Sequence, residues 1–181
     1  MAYIWINPVT AAMYEPEELE KFLRKHGYKI YVSHTDWAGT VKEKYRKMAT
    51  QVLQTVIDVR CPRIKELVYE SGLAEKGQVV VPDIHPILIH YGQEASFRME
   101  QEQEEIIVTT PCQTLADMGN GLKLPYTRFV TWKDFLLELG DEPERQELSV
   151  SPIPPGFFDT LKMKTASVSG EEEIREYLNR F

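Results

Sequence analysis

The chain has 181 residues, of which 43 % are hydrophobic, and a formal net charge of -7. That is enough apolar material to bury a core, which excludes a disordered chain, and the acidic balance lacks the basic face by which nucleic acids are held, so no nucleic-acid partner is expected. No apolar run approaches the roughly 18 residues of a membrane-spanning helix, the first residues lack a basic and then apolar leader, and two cysteines make no disulfide framework. The expectation is a cytoplasmic protein with reduced thiols and no membrane contact.

Taken in order, Ala2 to Ile6 reads as a short buried strand ended by Asn7-Pro8. Pro16 opens a helix whose positive end is favoured by Glu15, Glu17 and Glu18, and Gly27 stops it. Tyr28 to Val32 is the next strand. Thr35 or Asp36 caps a helix that runs to about Leu53. A strand from Val56 to Val59 leads to Arg60-Cys61-Pro62 and a helix to Glu70. Val79 to Val81 is a short strand, and Asp83 caps an apolar helix through Phe97. The four glutamates from Glu100 to Glu105 read as a solvated helix end or loop.

The run Ile106, Ile107, Val108 stops at Thr109-Thr110-Pro111, and Cys112 opens a short helix. Arg128 to Val130 is a strand, and Thr131 caps a helix that Gly140 ends. Ser151 to Gly156 is a Pro-rich linker or pocket wall. Thr165 to Val168 is a last strand, and Ser169 with Glu172 forms a capping box for the closing helix. This alternation predicts an α/β architecture with parallel strands buried on both faces, all strand-to-helix turns on one rim.

The only two cysteines, Cys61 and Cys112, both stand at a strand-to-helix turn beside a proline. At the carboxyl ends of parallel strands ligands bind, so two thiols there read as metal or cluster ligands or a redox pair. The alternative is two small buried residues that pack like alanine. Arg60, if turned toward Cys61, would favour its thiolate, and a rim arginine also binds anions. His85 and His90, on or next to the apolar helix and five residues apart, would point about 140° apart and not bind one metal as a pair, and each reads as a satisfied, partly buried histidine. His34 stands at a strand end. Phosphate-cradling glycine loops, a nucleophile elbow and a zinc-protease motif are absent.

The order of these segments resembles the catalytic domain of iron-only ([FeFe]) hydrogenases along nearly the whole chain. Asp58-Val-Arg-Cys-Pro62 stands where that family has T-S-C-C-P-x-W, and Pro111-Cys-Gln-Thr-Leu115 where it has P-C-x-x-K-x-x-E. Phe22 to Tyr28 with Thr35-Asp36, Val81 to Pro86, Phe129 to Phe135 and Lys164 to Gly170 are similar to the segments before, between and after those motifs. The departures are as specific. The sequence has no counterpart of the family's last two cysteines. Arg60 replaces the proton-relaying cysteine, Leu115 the active-site lysine and Met118 the glutamate.

The resemblance implies a single hydrogenase-like unit over 1–181, an α/β protein of two small parallel-sheet lobes around a cleft, with approximate lobes 1–75 plus 151–181 and 76–150. It implies a site lined by Asn7, Thr35, Arg60 and His85, with Cys61 and Cys112 as metal ligands. These two match half the ligand set of a [4Fe-4S] cluster, which a homodimer, a partner protein or a small-molecule ligand would complete. Hydrogenase activity is not expected. Two other functions fit the residues: an inactive binding or scaffold protein using the cleft, and a thiol-dependent enzyme with Arg60 activating Cys61.

Overall fold

A computed structural model of the chain describes residues 1–146, 165–166 and 171–180. It is α/β, and every strand pairing is parallel. The expected linker at Ser151 to Gly156 and the capping residue Ser169 lie outside the described residues.

The chain forms two compact units, one of Met1–Thr35 and Leu88–Pro154, the other of Asp36–Ile87 and Pro155–Phe181. This division differs from the lobes expected, because strand pairing does not follow sequence blocks. The first strand pairs with the strand before Cys112, and the Val79 strand pairs with the strand before Cys61. The physical reason is burial. Ile106 to Thr110 is buried at all five positions, and such a strand needs a neighbour on both sides.

The first unit holds strands β1 (Ala2–Trp5), β2 (Tyr28–Ile30), β5 (Ile106–Thr110) and β6 (Thr127–Thr131), in the order β2-β1-β5-β6. Its helices are α1 (Pro8–Ala11), α2 (Pro16–Lys25), α5 (Ile87–Glu102), α6 (Gln113–Gly121) and α7 (Trp132–Leu139). Strand side chains alternate between two faces. Trp5, Ile106, Val108 and Phe129 meet Ile89, Ala95 and Met99 of α5 and Leu115 and Ala116 of α6. Ile4, Ile107 and Val130 meet Leu19 and Leu23 of α2 and Phe135 and Leu136 of α7. The sheet is therefore doubly wound. Phe129 fits between the helices because both facing positions, Gly92 and Gly119, lack a Cβ.

The second unit holds β3 (Thr55–Ile57), β4 (Val79–Val80) and β7 (Thr165–Ala166), in the order β4-β3-β7, with α3 (Trp37–Gln51), α4 (Pro62–Glu70) and α8 (Glu171–Leu178). Val41 and Tyr45 of α3 pack on Val56. Ile64, Leu67 and Val68 of α4 pack with Ile57, Val79 and Leu178 on the other face.

Three helix starts follow ordinary capping chemistry. Asn7, Asp36 and Thr131 accept hydrogen bonds from the amides of Thr10, Gly39 and Asp134 at 3.0, 2.9 and 3.1 Å. Asp36 rather than Thr35 is the cap of α3. Gly140 ends α7 with φ 65°, the left-handed conformation that glycine adopts without strain. The helix expected to start at Asp83 starts at Ile87 instead. Pro86 disfavours the helical region for the residue before it, so His85 lies in the preceding loop and the helical angle between His85 and His90 does not apply. Among the described residues no helix is long and apolar enough to cross a membrane.

Candidate functional site

In each unit the expected site residues follow neighbouring strands at one carboxyl rim. In the first unit, Thr35, Asn7 and Cys112 come after β2, β1 and β5, which are adjacent in that order. In the second, His85 and the pair Arg60-Cys61 come after the neighbours β4 and β3. The β1–β5 step of the first unit is a topological switch point, where open α/β sheets receive ligands.

Asn7 is buried, and its side chain serves the fold. Its Oδ1 caps α1, and its Nδ2 donates to Thr10 Oγ1 at 2.9 Å and to Thr109 Oγ1 at 3.3 Å. Thr109 Oγ1 also accepts the Asn7 backbone amide at 3.0 Å and donates to the Trp5 carbonyl at 3.1 Å. One hydroxyl proton and two lone pairs are thus all used. This network extends the β1–β5 pairing beyond Trp5 and occupies the switch point with the chain's own groups. Thr109 was not among the expected site residues. Its signal was a β-branched hydroxyl at the end of an apolar run.

In the second unit the rim after β3 is organised by Asp58, buried in an otherwise apolar strand end. Arg60 sends Nε to Asp58 Oδ1 at 3.0 Å and Nη2 to Oδ2 at 2.7 Å, while the Arg60 amide donates to Oδ1 at 3.0 Å. Asp58 was not among the expected site residues; its signal was the spacing of two, since residues i and i+2 of an extended chain share a side. The guanidinium is therefore paired with a buried carboxylate. Beneath it the buried Tyr45 hydroxyl accepts the Val59 amide at 3.0 Å. Burial, and next the Asp58 charge, push that phenol well above its ordinary range.

Cys61 and Cys112 are free thiols, and both are exposed. This rules out the packing explanation, because neither sulfur fills the core. Each is the residue that opens its helix, α4 for Cys61 and α6 for Cys112, in an extended conformation and with no cap hydrogen bond from the side chain. Thr110 Oγ1 donates to the Cys112 carbonyl at 2.9 Å and so fixes the backbone that carries the thiol.

A [4Fe-4S] cluster takes four thiolates. Each unit carries one, and among the described residues no three His, Cys, Asp or Glu side chains are gathered as a metal would need. The chain by itself does not fit a cubane. The positions that the hydrogenase resemblance assigns to a lysine and a glutamate are also apolar here. Leu115 is 9 % exposed in the core between α6 and the sheet, with Met118 packed against the same cluster. No protein-family model, no curated protein and no solved structure matches this chain.

Proposed function

We propose that this chain is a thiol-donating metal-site protein of iron-only-hydrogenase-like design and without hydrogenase activity. Cys61 and Cys112 each offer one sulfur to a soft metal centre or iron-sulfur cluster. A second copy of the chain, a partner protein or a small molecule completes the ligand set, since two thiols do not.

The observation that supports this reading is the shared placement of the two exposed cysteines. Cysteine is among the residues most often buried, and the first position of a helix is normally given to Ser, Thr, Asp or Asn. This chain uses that set at α1, α3 and α7. It departs from it at α2, which Glu15 opens without a side-chain cap, and at α4 and α6, of which the last two begin at the carboxyl end of a sheet-interior strand and are opened by cysteine. A sulfur that neither packs nor caps is accounted for by chemistry with something outside the chain. The apolar Leu115 and Met118 support the absence of hydrogen turnover.

The test is an iron, sulfide and zinc assay with a visible spectrum, on protein purified and reconstituted without oxygen, alongside Cys61→Ser and Cys112→Ser. Expected are bound metal in the native chain and its loss in both variants. A metal-free protein after reconstitution, or binding that both variants retain, refutes the reading and leaves a binding module that uses no metal. Hydrogen evolution or uptake by the matured chain would refute the inactive assignment.

A further inference from the structure

Strand β2 ends at Ile30, and the last main-chain bond from its continuation to the sheet runs from the Tyr31 amide to the Ile4 carbonyl, 2.8 Å. Residues 32–35 then leave the sheet. Val32 is 67 % exposed, and His34 and Thr35 are exposed as well, so no apolar anchor holds them.

What holds this stretch is α5. Glu94 accepts the Ser33 hydroxyl, 2.8 Å from either carboxylate oxygen, and the His34 amide at 3.1 Å. The Tyr31 hydroxyl reaches the same carboxylate at 3.1 Å. One helical turn on, Arg98 Nη1 meets His34 Nε2 at 3.3 Å and its guanidinium lies 5.9 Å above the Tyr31 ring. Inside the stretch, Ser33 Oγ accepts the Thr35 amide at 3.3 Å. Among the described residues, every hydrogen bond that leaves residues 32–35 ends on Glu94 or Arg98.

We propose that residues 32–35 form a strap, docked on α5 by the Glu94 carboxylate, that opens as one piece and independently of the sheet when that carboxylate is lost. Hydrogen bonds to a charged acceptor are stronger than neutral ones, and this strap places two of its donors, the Ser33 hydroxyl and the His34 amide, on one such acceptor. The strap carries Thr35 at the carboxyl rim and leads directly into Asp36, where the second unit begins. Its docked state therefore sets where that rim residue stands. The proposal does not depend on metal binding by the cysteines.

Amide hydrogen exchange on the full chain tests it, with the two variants read at crossed positions. In Glu94→Gln the informative amide is that of Thr35, which bonds Ser33 and not Glu94. Its exchange is expected to rise by about tenfold or more, with Ile107 and Val108 of β5 unchanged. In Ser33→Ala the informative amide is that of His34, which keeps its own acceptor, and it too is expected to exchange faster. Unchanged exchange at Thr35 in the first variant overturns the strap, because the contacts would then be independent. If Glu94→Gln also accelerates β5, the milder Ser33→Ala decides. Faster exchange at His34 with β5 unchanged supports the proposal, and unchanged exchange at His34 overturns it.

Discussion

Replacing Cys112 by serine separates a thiol kept for chemistry from one kept for structure. Cys112 opens α6 with φ -151° and ψ 161° and caps nothing. The first amides of a helix have no carbonyl within it to meet, so a hydroxyl at this position gains an interaction that the sulfur does not make. A good cap is worth about 1 kcal/mol relative to a residue that does not cap. The Cys112 side chain is exposed, so no burial is given up in exchange. The net expectation is a gain of about 1 kcal/mol, read as a rise in melting temperature of about 2–4 °C for a chain of this size. Urea and thermal unfolding under reducing conditions measure it, with Cys112→Ala as the neutral control. A loss of about 1 kcal/mol or more in the serine variant would refute the argument, because the sulfur would then be part of the packing. Greater stability together with lost metal capture is the signature of a residue held against the preference of the fold.

Two further outcomes follow from the packing and from the Glu94 network. Gly119→Ala drives a Cβ into the Phe129 ring, and Gly92→Ala meets the other end of the same ring. Each should cost about 1–3 kcal/mol in urea unfolding, and the double variant less than the sum, since one ring movement relieves both. Full additivity would show that Phe129 does not adjust. The Tyr31 phenol is pushed up to about 12, first by burial and then by its bond to Glu94, from an ordinary 10.0. The unfolded chain therefore ionises first. The contribution of Tyr31 to stability is complete below pH 10 and is lost as the pH rises toward about 12. Tyr31→Phe should flatten the stability profile across that window, and an unchanged slope would contradict the assignment.

Much of the fold was legible because capping and strand chemistry are local. Asp36, Thr131 and Gly140 mark helix ends by residue type, and the apolar run at Ile106 marks a strand interior. The two-unit division was not legible, since strand pairing joins residues far apart in sequence. Tyr3 faces Ile106 and Val56 faces Thr165, and no residue type encodes those partners. Thr109 and Thr110 read as the end of a strand because they are polar, yet both are buried within β5, their hydroxyls satisfied by main-chain carbonyls. Glu94 was invisible for the opposite reason. A glutamate in mid-helix reads as solvated, and only the placement of residues 31–34, after β2, against α5 gives it donors. Of the candidate site, the positions of Cys61 and Cys112 followed from the strand-helix pattern, while their exposure did not. The uses of Asn7 and Arg60 depend on Thr109 and Asp58; Asp58 is near in sequence but was not read as the partner of Arg60, and Thr109 is far from Asn7 in sequence.

Leu115 offers a test of the proposal that the chain turns over no hydrogen. If the position faced a polar site, lysine would be tolerated there and its ammonium would find water or an anion. The structure instead places Leu115 in the cluster formed with Trp5, Ile89, Val108 and Ala116. Leu115→Lys would remove a buried apolar side chain, worth about 1.5–3 kcal/mol. It would also ask an ammonium to leave water, or the stem to extend toward the open side of α6 at the expense of packing. The expected loss is about 2–4 kcal/mol in urea unfolding, with no hydrogen turnover gained. A lysine variant as stable as the native chain would mean that this face of α6 opens onto a polar cavity, and the case for an apolar, inactive helix would fall. A destabilised variant would show that position 115 belongs to the core and takes no lysine.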